Sequence, residues 1–195
     1  MALPEAIGVP VGTVLLKDFD KAHCIFFFGH NTTTNAPRML HPLQRAAKRG
    51  VPIVTFNPLR ERGLERFTNP QSPVQMVAGG TRISSQYYQV NAAGDIAAIV
   101  GISKVLIEAD DEAVAQGGAR VVDIAFITEH THGYEDYAAF CRGQNWAKLE
   151  SASGLTEAEM RTAADTYMRA KAVIANYGMG ITQHEYGVEC VRMIV

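Results

Sequence analysis

The residues best suited to binding chemistry lie in one polar turn, residues 29–35, with the sequence GHNTTTN. The turn follows an unbroken apolar run, CIFFF, that is typical of a buried parallel strand. Gly29 allows the backbone to approach a ligand closely, while the amides and hydroxyls offer donors and acceptors without charge. Because the turn has no thiolate and only one imidazole, His30, it suits a phosphate or nucleotide better than a metal. The alternative interpretation is an ordinary strand–turn–helix junction capped by Asn and Thr.

Three further segments that are rich in small or amide-bearing residues follow later strands or open a helix. They are residues 57–60, the pair Gly94 and Asp95, and residues 178–183. Because ligands in open α/β sheets bind outside the carboxyl ends of the strands, we expect all four segments to share one edge. Asn57 stands where a dinucleotide fold often has an acid that holds a ribose hydroxyl. Neither G-x-G-x-x-G after the first strand nor a P-loop motif is present, which disfavours ordinary NAD binding and P-loop chemistry.

The elements that position these turns alternate between strands and helices. Strands are predicted at residues 24–28, 51–56, 86–90 and 172–177, and a helix over Met39–Ala47 ends at Gly50. Asp95 is predicted to cap a second long helix, and Thr156 with Glu159 forms a capping box for another. The pattern indicates an α/β fold: a Rossmann-like three-layer domain with a mostly parallel sheet flanked by helices.

Two polar stretches are predicted to lie outside the core. Residues 59–82 are irregular and contain prolines, so we expect a surface excursion. Residues 110–120 are predicted to form a loop, in which Asp110, Asp111 and Glu112 make a solvated acidic run.

Composition disfavours several classes of function and partner. The formal net charge of −2 offers no basic footprint for nucleic acid. The three cysteines are far apart, which leaves a zinc or iron–sulfur site without support and fits a reducing compartment, the cytoplasm. No apolar run approaches the roughly 18 residues needed to cross a membrane. His130 and His132 lack a third ligand, so we expect no metal site, and no catalytic residues are recognisable.

Five segments, in order, resemble one known family. They are FFFGHNTTTNAPRML, VPIVTFNPLRERGLERF, NAAGDIAAIVGI, FITEHTHGYEDYAAF and NYGMGITQHEYGVE. The family is the molybdopterin-dependent oxidoreductases, in the formate dehydrogenase-like branch of the dimethyl sulfoxide reductase group, and the resemblance covers nearly the whole chain. It implies a domain that binds one guanosine end of a bis-molybdopterin guanine dinucleotide carrying molybdenum or tungsten.

The resemblance also implies which residues contact the cofactor, by matching positions in its motifs. The cofactor-binding residues carried over are Gly29, Asn31, Thr34, Asn35, Asn57, Pro58, Gly94, Asp95, Met179 and Gln183. The chain departs from the family at three positions: Asn57 replaces an acid, and Asn91 and Ala93 stand where Arg and Gly are more common.

In the family, the metal ligand lies upstream of this segment and a substrate-side arginine lies downstream. We therefore expect residues 1–195 to form a single α/β cofactor-binding domain cut from a longer chain, with the remaining domains and the small-molecule cofactor as partners. The isolated piece is expected to be inactive and to retain no cofactor. The alternative is a non-catalytic nucleotide-binding or interaction module that keeps the fold but not cofactor binding.

Overall fold

The structure, a computed structural model, describes residues 2–195 and is built around a four-stranded sheet. The strands are β1 (Cys24–Phe28), β2 (Ile53–Phe56), β3 (Arg66–Phe67), β4 (Thr81–Arg82), β5 (Gln86–Tyr88) and β6 (Val173–Tyr177). The main sheet has the order β5-β2-β1-β6, and its neighbouring strands pair in parallel. β3 and β4 form a separate antiparallel pair. The predicted α/β, Rossmann-like architecture is therefore confirmed.

Helices cover both faces of this sheet. They are α1 (Ala2–Ile7), α2 (Thr32–Asn35), α3 (Leu40–Lys48), α4 (Arg62–Glu65), α5 (Pro73–Ala78), α6 (Asp95–Ala115), α7 (Ile124–His130), α8 (Tyr134–Arg142), α9 (Trp146–Ser153), α10 (Glu157–Met168), α11 (Met179–Thr182) and α12 (Gly187–Ile194). Short 3₁₀ helices span Leu16–Asp20 and Pro37–Met39. Among the helices of residues 2–195, none combines the length and apolar character that a membrane crossing requires.

The central strand β1 is buried on both faces, which explains why its sequence is apolar without alternation. Phe28 packs on Phe56 of β2, with ring centroids 5.0 Å apart, in the layer that contains α6, α9 and α10. Ile25 and Phe27 face the opposite layer, where Leu43 of α3 belongs to the same apolar cluster. These two clusters anchor the sheet between its helical layers, so the turns after each strand project from a rigid base.

Two expectations about polar stretches are corrected. Helix α6 continues to Ala115, so most of the predicted loop at 110–120 is wrong. Asp110 is buried rather than solvated, because its carboxylate accepts hydrogen bonds from Arg120 and from the backbone N–H groups of Val121 and Val122. These bonds keep the pKa of Asp110 below its ordinary value. A charge is tolerated there because it is paired and hydrogen-bonded.

The excursion at 59–82 is only partly a surface feature. It folds into α4, the β3–β4 pair and α5, and Leu64 is fully buried in the core on the α3 side. The predicted capping box is confirmed: Thr156 accepts from the N–H of Glu159, whose carboxylate accepts from the N–H of Thr156.

Candidate functional site

The order of the strands creates a switch point between β1 and β6. From β1 the chain crosses to β2 and then β5 on one side, whereas β6 returns to the other side of β1. Since all four strands are parallel, their carboxyl ends lie at one edge of the sheet. In doubly wound folds, the crevice at such a switch point is where ligands bind.

Three glycines bring the turns after β1 and β6 into direct backbone contact. The N–H of Gly178 donates to the carbonyl of Phe28 at 3.0 Å, and the N–H of Gly180 donates to the carbonyl of Gly29 at 3.0 Å. A Cβ atom added at Gly29 would lie 2.9 Å from the carbonyl carbon of Gly180 and the nitrogen of Ile181. Gly29 also has a φ of +53°, which disfavours other residues. Only glycine fits this crossing.

The first turn is shaped by its own polar side chains. Asn31 caps α2, because its Oδ1 accepts from the N–H of Thr34 at 3.1 Å. Thr34 and Asn35 are exposed at the rim, whereas Thr32 is fully buried. The Oγ1 atom of Thr32 is buried and has no hydrogen-bond partner among the described residues.

The second turn uses the side chain of Asn57 internally. Its amide donates to the carbonyl of Leu59 at 2.9 Å, and the residue is buried. Tyr87 braces the same turn by donating from its hydroxyl to the Leu59 carbonyl at 2.7 Å. Pro58 is exposed, and its carbonyl accepts from Gln89. Asn57 therefore holds the turn in shape, and its neighbour Pro58 presents backbone to solvent.

The third turn places a buried acid at the start of α6. The cap position belongs to Gly94, and no side-chain cap is formed, so the prediction that Asp95 caps this helix is wrong. Asp95 lies inside the first helical turn with only 3% of its surface exposed, and its Oδ1 has no partner among the described residues. Burial raises the pKa of Asp95 to about 6, although the nearby His184 lowers this pKa.

The departures at Asn91 and Ala93 have local structural consequences. The amide of Asn91 donates to the carbonyls of Ser151 and Ala152, which satisfies the carboxyl end of α9. Ala93 has a φ of +62° and is the one described non-glycine residue with positive φ. That conformation costs about 1–2 kcal/mol for a residue with a Cβ. Glycine at this position would relieve this strain.

The fourth turn forms α11 and leads to a small polar cluster. Met179 and Gln183 are exposed. His184 follows directly, and its Nε2 lies 3.6 Å from Sγ of Cys190 in α12. Burial raises the pKa of Cys190 to about 11, and Asp95 adds to this increase. The electrostatic contacts of Asp95 with His184 and Cys190 join the third and fourth turns.

His30 and Thr32 are two residues of this edge that sequence reasoning did not select. His30 stacks on Phe27, its Nδ1 is buried without a partner, and burial lowers its pKa. Both residues lie in the polar turn, but the sequence carries no signal for which of its side chains point inwards. Unpartnered buried polar atoms are uncommon in native proteins and require an explanation, such as a ligand or an ordered water. Across residues 2–195, no group of three or more His, Cys, Asp or Glu side chains is arranged to hold a metal.

No family model matches the chain, but individual proteins do. Protein YdeP of Escherichia coli is 43% identical over 196 residues, covering 100% of this chain and 26% of that protein. Formate dehydrogenase H of Escherichia coli is 25% identical over 192 residues, covering 98% of this chain and 23% of that enzyme. The homologues of this chain include formate dehydrogenases, and the chain corresponds to one segment of these longer proteins. It spans about a quarter of the length of these curated relatives.

A solved structure supports the fold of this formate dehydrogenase-like segment. Acetylene hydratase from Pelobacter acetylenicus matches with a TM-score of 0.68 and 16% identity, over 90% of this chain and 21% of that chain. At this identity, the likeness concerns the fold alone. The family resemblance seen in the sequence motifs is confirmed, whereas the residue-by-residue cofactor contacts remain predictions.

Proposed function

We propose that this chain is the part of a formate dehydrogenase-like oxidoreductase that holds the guanosine diphosphate end of a molybdopterin guanine dinucleotide. The relatives named as dehydrogenases support an oxidoreductase as the whole protein, and the remaining domains of that protein would complete the site. When bound, the molybdenum or tungsten pterin supplies the redox chemistry. The residues of this chain supply position and electrostatics.

The observation that carries this proposal is a set of buried polar atoms without partners, in turns at the strand-end edge of the sheet. They belong to turns that follow β1 and that open α6: Nδ1 of His30, Oγ1 of Thr32 and Oδ1 of Asp95. The glycine crossing, which lies next to His30, presents backbone where side chains would otherwise fill the space. An uncharged polar rim with one carboxylate fits a base, a ribose and a pyrophosphate, so the residues present fit the group.

Each turn contributes a different part of the recognition. The N-terminal end of α6 carries the positive end of the helix dipole, which favours a phosphate. The carboxylate of Asp95 is the acceptor that suits the adjacent N–H donors of guanine. Asn57 replaces an acid and is already engaged with Leu59, so its hold on a ribose hydroxyl is weaker than that of a carboxylate.

The alternative, a non-catalytic module that has lost cofactor binding, receives less support. The departures at Asn57, Asn91 and Ala93 are what this alternative would expect, but each has a local structural effect: Asn57 bonds Leu59, Asn91 bonds the carboxyl end of α9, and Ala93 takes a φ of +62°. The relatives that match over the whole segment include enzymes.

Calorimetric titration of the 195-residue chain with GDP tests the proposal. We expect weak binding, with a Kd on the order of 0.1–1 mM, because the other domains that would enclose the cofactor are missing. ADP should bind at least about tenfold more weakly, since adenine lacks the donor pair that a carboxylate reads in guanine.

The variant Asn31→Ala should weaken GDP binding by loosening the first turn. Asn145→Ala is the matched control, because Asn145 caps α9 in the same way, far from this edge in sequence. Each loss of a cap costs about 1 kcal/mol of stability. Absence of heat at millimolar GDP, or equal GDP affinity in the two variants, would contradict the proposal.

A further inference from the structure

A second concave site lies beside the turn that follows β2. It is a cavity of about 610 Å³, which we term the arginine pocket, and its charged and aromatic lining residues are Arg60, Arg62, Arg66, Arg82, Glu65 and Tyr87. All four arginines are exposed, so solutes reach their guanidinium groups from solvent. A concentration of this kind is unusual in a chain whose net charge is −2.

The positive charge of the arginine pocket is not balanced within the protein. Arg60 pairs with Glu65 at 2.8 Å, and its guanidinium lies 5.4 Å from the ring centroid of Tyr87. Glu61 is a second acid near this side of the arginine pocket, because its charge helps to raise the pKa of Tyr87. The guanidinium group of Arg62 makes no hydrogen bond or ion pair with any described residue. Two acids thus face four guanidinium groups.

The two remaining arginines are fixed in place by neutral partners. Arg66 donates to the carbonyls of Gly79 and Gly80, and Arg82 donates to the carbonyls of Ser84 and Ser85. These bonds orient both guanidinium groups and leave their charges uncompensated. An anion that enters the pocket would meet donors that are already ordered, which lowers the entropic cost of binding.

The register of the β3–β4 pair strengthens this argument. Arg66 and Arg82 lie directly opposite each other across the two antiparallel strands. Like charges in opposite positions destabilise a sheet, and a bound anion would turn this repulsion into attraction for both groups. The pairing is therefore unfavourable without a ligand and favourable with one.

We propose that the arginine pocket binds a phosphate-bearing small molecule. Guanidinium groups form paired N–H···O bonds with phosphate oxygens, and several converging forks favour a diphosphate over a single carboxylate. The pocket is separate from the glycine crossing, because it is built by α4, the β3–β4 pair and Tyr87 rather than by the turns of β1 and β6. The proposal does not depend on the function proposed above.

The test is calorimetric titration of the 195-residue chain with inorganic pyrophosphate, and separately with GDP, at fixed ionic strength. Arg62→Gln is the informative variant: the guanidinium group of Arg62 has no partner among the described residues to lose, so we expect the fold to be unaffected. Arg169→Gln is the matched control, since Arg169 is exposed, its guanidinium group makes no bond to a described residue and it carries the same charge. We expect Arg62→Gln to weaken pyrophosphate binding about tenfold and Arg169→Gln to leave it unchanged.

The GDP arm identifies the source of the phosphate. If Arg62→Gln weakens pyrophosphate alone, the pocket serves a free phosphate-bearing molecule. If it weakens both ligands, the pocket receives the diphosphate of a nucleotide. Both results support the inference, and pyrophosphate binding in a chain that does not bind GDP would support it while removing the proposed function. Failure of pyrophosphate to bind at about 10 mM, or equal affinity in Arg62→Gln and Arg169→Gln, would overturn it.

Discussion

Replacing Asp95 by asparagine is expected to raise the free energy of unfolding by about 3 kcal/mol at pH 7, because the folded chain buries this carboxylate without a full set of partners. The value follows from the rise of the Asp95 pKa from 3.8 to about 6 on burial. Asparagine has the same shape and carries no charge. A stabilising substitution at a buried polar residue marks a position kept for function rather than for folding.

The sign of the pH dependence follows from the same shift. Well below pH 3.8, Asp95 is protonated in both the folded and the unfolded chain, and well above pH 6 it is ionised in both. Between these values the folded chain binds more protons, so the stability of the original chain falls as pH rises. The stability advantage of Asp95→Asn should therefore be small at pH 4 and nearly complete at pH 7. Urea unfolding at pH 4, 5, 6 and 7 measures it.

Binding is expected to change in the opposite direction. Asparagine offers one acceptor and a competing donor in place of the carboxylate, so Asp95→Asn should weaken GDP binding at least about tenfold. Asp165→Asn is the control, because Asp165 is exposed in α10 and should alter neither stability nor affinity. A destabilised Asp95→Asn chain, or one that binds GDP as well as the original, would show that the carboxylate has a structural role instead.

The substitution Gly29→Ala is expected to destabilise the fold by about 3–5 kcal/mol. About 1–2 kcal/mol comes from placing a residue with a Cβ at a φ of +53°. The rest comes from overpacking, because the new Cβ would lie 2.9 Å from the backbone of Gly180, which has no flexible side chain to yield. GDP affinity should fall as well, since the two turns at the switch point must separate.

Gly50→Ala is the control for Gly29→Ala, because it introduces the backbone strain of a positive φ without the steric contact. Gly50 has a φ of +79°, but a Cβ atom there would meet nothing within 4 Å. It should therefore cost only about 1–2 kcal/mol. Chemical unfolding of both variants measures the difference. Equal losses of stability at Gly29 and Gly50 would show that the turns after β1 and β6 do not touch in solution.

The sequence predicts most of the fold because its strongest signals are local. The run Cys24–Phe28 is apolar without interruption and becomes the central strand, and the capping box at Thr156 forms as its motif predicts. The failure at 110–120 has the opposite cause. Among its acidic neighbours, Asp110 is predicted to be solvated. Its burial is possible because Arg120 and two backbone N–H groups, which follow ten to twelve residues later, bond its carboxylate.

The candidate site is predictable in outline for a related reason. Parallel strands bring their carboxyl ends to one edge, so the four turns were expected there from their order alone. The contact between Gly29 and Gly180 joins distant parts of the sequence, and Asp95 interacts electrostatically with Cys190 of α12, a residue far along the chain. Neither feature leaves a local pattern of residues. The arginine pocket could not be predicted from the sequence either, because most of its residues come from a segment without a regular pattern.

The central claim is that the strand-end edge binds a guanosine diphosphate. Two-dimensional ¹⁵N–¹H NMR of the 195-residue chain during a GDP titration tests it most directly, since every turn at the edge carries glycine or asparagine amides. We expect the amide signals of Gly29, Asn31, Gly94 and Gly180 to shift together with one affinity, while those of Gly50 and Gly133 stay in place. Shifts confined to other parts of the chain, or none at millimolar GDP, would contradict the account.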